Sequence, residues 1–372
     1  MKPWASLQRS FSINSLRAIF HSILRSVPFT EPLRICSHHS KIHLQRTSGK
    51  PLRFWKWTKW TGLGLVFGGI AYQKIGTAID AKRYPPIGQM ISMGGYNIHL
   101  YTTGTGPNVI LDAGLGCNAL SWSLVQPEIA RFARVTSFDR PGNGWSDESP
   151  KERTSQNIAM ELHEALHKAK IFGPYVFVGH SFGGIDAQMF AQLYPDEVAG
   201  LILVESSHAD QCKEVSMPEI NPTLTMLASH LGISRLLTHS AAYKESVVVF
   251  PEPIQKALLA QLCTIKFTRT VLQEFSHFKT SCDQLKALGD SLGDKPLTVI
   301  TAGKTIDAKG SGMTQEQIDT SHRAFQRFQK DLVTKSSQGK QVFATESDHM
   351  IPYNQPQIIV DAAREMIAKF RN

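Results

Sequence analysis

Several things are scarce in this chain of 372 residues, and each scarcity excludes a class of protein. Cysteine occurs five times, at Cys36, Cys117, Cys212, Cys263 and Cys282, scattered and without a C-x-x-C pair. That spacing supports neither a zinc site nor a disulfide framework. Acid is almost missing from the start: residues 1–60 hold eleven Lys and Arg against the single acid Glu31. The remainder has 29 bases and 30 acids, so the net charge of +9 is a property of the tail, not of the folded part. A nucleic-acid-binding surface is not indicated by that distribution; a targeting or membrane-surface tail is. Long apolar runs are also short in supply. The longest uncharged stretch near the N-terminus, between Lys59 and Lys74, has 14 residues, whereas a bilayer core of about 30 Å needs roughly 20. Internal repeats and low-complexity tracts are absent.

What is present divides the chain. Residues 1–53, rich in Ser, Arg and His, resemble an organelle transit peptide or a basic cytoplasmic tail. Over 54–81, Trp55, Trp57 and Trp60 interleave with Lys56 and Lys59 before a run with four glycines. Tryptophan and lysine together suit a membrane interface, and if Lys74 snorkels the run extends to Ile79. The expectation is a single-pass anchor helix, with mitochondrial or plastid targeting as one possible destination, followed by a short linker at Lys82–Pro86. From Gly88 to the end, short β-branched runs alternate with helical segments. This predicts an α/β domain, 88–372, built on a mostly parallel sheet with helices on both faces. Residues 208–293 break the rhythm and read as a helical lid insertion above the strand ends.

The chemistry centres on Tyr175–Gly184. An apolar strand is followed at once by Gly179-His180-Ser181-Phe182-Gly183-Gly184 and then a helical segment. Strand, sharp turn and helix with a serine at the turn is the pattern that lifts a nucleophile clear of a sheet. A serine hydroxyl needs a base within hydrogen-bond reach, and the base needs a third group to hold its tautomer. His349, in the polar turn Glu346–Met350 after the last expected strand, is the base candidate. Two acids compete for the third role. Glu205 ends the strand Leu201–Val204, and Asp307 lies in the loop after the next strand. Either gives the order serine, acid, histidine. For the developing oxyanion, the backbone N–H groups of Phe182 and Leu115 are the candidates, Leu115 lying in the Gly-flanked turn Asp112–Gly116.

These motifs, with Asp139-Arg140-Pro141-Gly142-Asn143-Gly144-Trp145-Ser146 and Ser347-Asp348-His349, together resemble the α/β-hydrolase superfamily over about residues 88–372. The tail, anchor and hydrolase layout, with Ala113–Gly116 and Ser123–Glu128, resembles membrane-anchored hydrolases best known in bacteria. Those commonly carry aspartate where this chain has Glu205. Haloalkane dehalogenases and epoxide hydrolases of the superfamily use an aspartate nucleophile where Ser181 stands. The resemblance implies an eight-stranded-type sheet and a serine hydrolase acting on an ester or other acyl substrate, with no cofactor and no metal; the anchor and apolar lid point to a lipid-like substrate. Acyl transfer to an acceptor other than water, or a catalytically silent binding module, are the alternatives.

Overall fold

The structure is a computed structural model that describes residues 52–215, 219–305 and 314–370, with side chains described from Trp60 onward. The tail before residue 52 and the acid candidate Asp307 lie outside the described residues.

Among the described residues eight strands form one sheet. They are β1 (Gln89–Ser92), β2 (Asn97–Thr103), β3 (Asn108–Asp112), β4 (Arg134–Phe138), β5 (Tyr175–His180), β6 (Val198–Val204), β7 (Leu297–Ala302) and β8 (Gly339–Ala344). Their order is β1-β2-β4-β3-β5-β6-β7-β8. Only the β1–β2 and β2–β4 pairings are antiparallel; the others run parallel. The sequence marks every strand but β1, a short, mostly exposed edge strand with little apolar patterning.

Alternation along each strand divides the core between the two faces, because successive side chains point to opposite sides of a sheet. Ile110, Phe177, Leu201 and Val299 share one cluster with Ile158 and Leu162 and with Ile185 and Phe190. Those four belong to helices α3 (Ser155–Lys168) and α4 (Phe182–Leu193), counting α1 (Leu52–Arg83) and α2 (Gln126–Ile129) before them. Leu111, Val178, Ile202 and Ile300 point the other way, onto Trp122, Ile129, Ile359 and Ile367. Both faces are covered, as a parallel sheet requires.

Between β6 and β7 the chain leaves the sheet through α5 (Gln211–Glu214), α6 (Pro222–His230), α7 (Ile233–Leu237), α8 (Ala241–Val247), α9 (Glu252–Leu262), α10 (Ile265–Ser276) and α11 (Phe278–Leu288). This is the expected lid. After β7 come α12 (Gln315–Val333), then, beyond β8, α13 (Ile351–Asn354) and α14 (Pro356–Ala368).

The expected anchor takes a different form. A helix is there, but it absorbs the first part of the expected linker and runs to Arg83. No helix among the described residues is long and apolar enough to cross a membrane. Its second half packs on the lid instead. Gln73, fully buried, donates to the Cys263 carbonyl at 2.8 Å. Arg235 of α7 pairs with Asp80 and donates to Thr77. A side chain at Gly69 would meet the Leu231 carbonyl oxygen at 2.6 Å, so glycine lets the two backbones touch. Between Trp60 and Phe67 the helix is bare: Trp60 is 72% exposed, Leu65 74% and Phe67 65%.

Candidate active site

Parallel strands deliver their C-terminal ends to one edge, and the turns there carry the chemistry. Ser181 follows β5 directly with φ 54 and ψ −119. A non-glycine residue at positive φ is strained, at a cost of order 1–3 kcal/mol, and persists only where its surroundings over-determine it. They do so here. Ser181 N–H donates to the Val204 carbonyl at 3.1 Å, and the Ser181 carbonyl accepts from Gly184 and Ser207, both at 2.9 Å. The glycines are steric necessities: a Cβ at Gly179 would lie 2.3 Å from the Gly183 carbonyl oxygen, and one at Gly183 would lie 2.5 Å from that of Asp112.

His349 Nε2 lies 3.0 Å from Ser181 Oγ across 168 residues of chain. The turn that carries it is fixed from several sides. Asp348 Oδ1 accepts from Met350 N–H at 3.0 Å and Asn354 Nδ2 at 2.9 Å. The His349 carbonyl accepts from His180 Nε2 at 2.9 Å. Phe325 stands edge-on to the His349 ring, 5.8 Å between centroids. Burial first, and the neighbouring His180 second, push the His349 imidazole down from its ordinary value to about 3. Neutral imidazole is the form that accepts a proton from a serine hydroxyl.

Glu205 is at the same edge, buried, with φ 40. Its Oε2 accepts the Ala302 N–H at 2.6 Å. Among the described residues no hydrogen bond joins its carboxylate to His349. Desolvation, opposed by the Ala302 hydrogen bond and aided by the Asp348 charge, raises its carboxyl to about 7. The loop leading toward Asp307 starts beside the histidine turn: Gly303 N–H donates to Ala344 and Lys304 N–H to Ser347, both at 2.9 Å.

The oxyanion candidates flank the serine. Phe182 opens the twelve-residue helix α4, so its N–H is one of the helix's free N-terminal donors. Leu115 follows Gly114, whose missing Cβ would lie 3.3 Å from Ser181 Cβ. Sequence reasoning named Arg140 only as part of a motif and did not single out Glu274. Both are buried beneath this loop. Arg140 carried a motif signal; Glu274 carried none, because its partner is 134 residues away.

Ser181 is only 4% exposed, with Phe278 of α11 packed at 5.7 Å on the ring of Phe182. A cavity of about 670 Å³ lined by Arg83, Tyr84, Glu252, Pro253 and Lys256 includes none of these site residues. One group among the described residues has the donor set for a cation: His163 and His167 of α3 with Glu197. It lies before β6, at the opposite end of the sheet from Ser181. Each imidazole Nε2 there already bonds one Glu197 oxygen, at 2.8 and 3.1 Å.

Comparison with known proteins agrees with this architecture. Residues 107–229 match the family described as alpha/beta hydrolase fold. The uncharacterized protein YqjL of Bacillus subtilis is 22% identical over 257 residues, covering 68% of this chain and 81% of its own. Among solved structures, the epoxide hydrolase CorEH superposes with a TM-score of 0.57 at 20% identity, over 76% of this chain and 98% of that one. A thermophilic esterase from Thermogutta terrifontis gives 0.52 at 21%, over the same shares.

Proposed function

The chain is an α/β-hydrolase-fold protein, and from that premise we propose that it is a serine hydrolase of carboxylic esters or related acyl compounds. The observation that carries the reading is the 3.0 Å contact between His349 Nε2 and Ser181 Oγ on a strained turn. Fold alone does not choose among the chemistries this architecture hosts. The serine nucleophile favours ester over epoxide cleavage, since an epoxide-opening relative would present an aspartate at this turn.

In this mechanism Ser181 Oγ attacks the acyl carbonyl carbon while His349 Nε2 takes the hydroxyl proton. The Phe182 and Leu115 amides hold the oxyanion. As the tetrahedral adduct collapses, the carbon–oxygen bond to the alcohol breaks and His349 returns the proton to the leaving alkoxide. Water then attacks the acyl-serine, giving its proton to His349, which protonates Ser181 as the carboxylic acid departs. We assign the orienting acid to Asp307. Among the described residues Glu205 makes no hydrogen bond to His349, its Oε2 accepting from the Ala302 amide instead, while the loop toward Asp307 begins along the His349 turn. Turnover of a nitrophenyl ester series by wild type, Asp307→Asn and Glu205→Gln tests the assignment. A loss of about 10⁴-fold is expected in Asp307→Asn. The same loss in Glu205→Gln alone would reverse it. Added alcohols separate hydrolysis from acyl transfer by their ester products.

We also propose that the protein sits on a membrane surface through the exposed Trp60–Phe67 stretch of α1, and that its substrates are correspondingly lipid-like. Exposed Trp60, Leu65 and Phe67 and the basic residues before them support this. Flotation with anionic vesicles is expected, and loss of flotation in Leu65→Asp/Phe67→Asp; a wild type that stays with the soluble fraction contradicts it.

A further inference from the structure

Arg140 is the most heavily committed side chain near the serine. It is 2% exposed, and all five of its N–H donors are accounted for. Nη1 donates to Asp112 Oδ1 at 2.7 Å and to the Ala113 carbonyl at 2.5 Å, and Nη2 donates to the Gly114 carbonyl at 2.7 Å. Nε donates to Glu274 Oε1 at 2.8 Å, with Nη2 reaching Glu274 Oε2 at 3.4 Å. The guanidinium therefore spans three successive residues of the loop that presents Leu115. The same group lies 5.3 Å from the Phe182 ring centroid, beside the other residue whose amide serves the oxyanion.

The geometry points to Arg140 as a positioning residue for the oxyanion hole, held in place by Glu274 of the lid. The inference rests on the serine-hydrolase reading above. In a trans peptide the N–H points opposite to the C=O, and the cis bond among the described residues is Gly173–Pro174. Pinning the Gly114 carbonyl on the guanidinium therefore turns the Leu115 N–H away from Arg140 and fixes its peptide plane. A cation on that carbonyl also polarises the peptide, which strengthens the N–H as a donor. Donors fixed before the reaction need no reorganisation when charge develops, and that is what makes an oxyanion hole effective.

Glu274 adds a second function. It is fully buried on α10, and its Oε1 also accepts from Asn143 Nδ2 at 3.1 Å. The helix is seated tightly on the Arg140 loop. A Cβ at Gly142 would lie 1.9 Å from Thr270 Oγ1, and Lys266 Nζ donates to the Gly144 and Ser146 carbonyls at 3.0 and 2.6 Å. A lid displaced from this seat takes Glu274 with it and leaves Arg140 Nε without its acceptor, so that the guanidinium is held from the loop side alone. The hole is thus complete when α10 is docked. Asp186, 3.8 Å from Arg140 Nη1, completes three carboxylates around one cation. Burial and the Asp112 charge raise the Asp186 carboxyl well above its usual range.

The test uses the full chain with a short-chain nitrophenyl ester and a trifluoromethyl ketone, which forms a tetrahedral adduct with the serine. Arg140→Lys keeps the charge but loses the planar five-donor fork. It is expected to lower kcat about 100-fold, the loss typical of one oxyanion donor, and to weaken ketone binding by the same factor. KM should stay within about threefold, because the lost interaction belongs to the transition state. Glu274→Gln should show the same paired loss, smaller at about tenfold, and Glu274→Asp should recover part of it. Unchanged kcat and ketone affinity beside a lowered Tm would reduce Arg140 to a structural ion pair and overturn the proposal. If Arg140→Lys does not fold, the paired loss in Glu274→Gln decides alone. A wild type inert to ester and ketone overturns this proposal together with the hydrolase reading, whereas an active wild type with indifferent variants overturns this one only.

Discussion

The turn that carries Ser181 and the lid that covers it are built on opposite principles. At the turn, backbone meets backbone. Positive φ at Ser181, glycines with no room for a Cβ and hydrogen bonds at both ends of the residue leave one conformation. The lid is short helices joined to the rest by side chains, apolar ones such as Phe278 and Leu285 in the core and Phe250 and Leu258 against Leu120, and polar ones: Arg235 to Asp80, Lys266 to two carbonyls, Glu274 to Arg140. Its outer surface still shows Leu224, Leu227 and Leu236, each about half exposed. Main-chain contacts fix the residue where bonds are made and broken, and side-chain contacts seat the element that covers it. Local stability varies across folds in this way, with binding elements drawn from the less stable end.

Substitutions can sharpen or break that contrast. The largest effect belongs to the turn. Ser181→Ala should reduce ester turnover on the order of 10⁶-fold with little change in Tm, as the strain stays and no packing is lost. His349→Gln should fall nearly as far, and the double variant no further, because the pair acts as a unit. Next comes Gly179→Ala. The 2.3 Å clash is with backbone, so a loss of about 3 kcal/mol or more, or no soluble protein, is expected by thermal unfolding. In the exposed Trp60–Phe67 stretch of α1 the opposite holds. Nothing lies within 4 Å of a Cβ at Gly62, so Gly62→Ala should be neutral or stabilise by up to about 1 kcal/mol.

Two pH effects separate the regions further. Glu205 titrates at about 7 in the fold against 4.5 when unfolded. The folded state therefore holds a proton that the unfolded state has lost between those values, and stability falls as pH rises from about 4.5 to 7. The loss is on the order of 3 kcal/mol, and Glu205→Gln should flatten it while keeping an acceptor for the Ala302 amide. His349 is depressed instead. It stays neutral as pH falls, so the acid limb of kcat/KM should lie below the ordinary histidine value of about 6.5. The smallest effect is expected on the lid exterior, where Leu236→Ser should change stability by less than about 0.5 kcal/mol.

How far the sequence carries follows the same division. The strands from β2 onward, the turn at Ser181 and the histidine turn are legible because each is a local pattern: period-two apolar runs, glycines at fixed offsets, a polar turn after a strand. Glu205 shows the limit of position alone. Its place at a strand end was readable, but its partner, the Ala302 amide, depends on the neighbouring strand. The Arg140–Glu274 pair and the burial of Gln73 against Cys263 join residues more than 130 positions apart, and no local pattern marks such pairs. The uncharged run after Lys59 invited a membrane span for the same reason. Its second half is claimed by lid residues that the local sequence does not reveal.

The central claim is an activated serine at position 181, and covalent labelling tests it most directly. Wild type and Ser181→Ala, both shown to be folded, are treated with a fluorophosphonate, and the adduct is located by peptide mass. The account predicts one phosphonyl group per wild-type chain, on the peptide containing Ser181, and none in the variant. A folded wild type that takes no label, or one labelled equally in the variant, would contradict it.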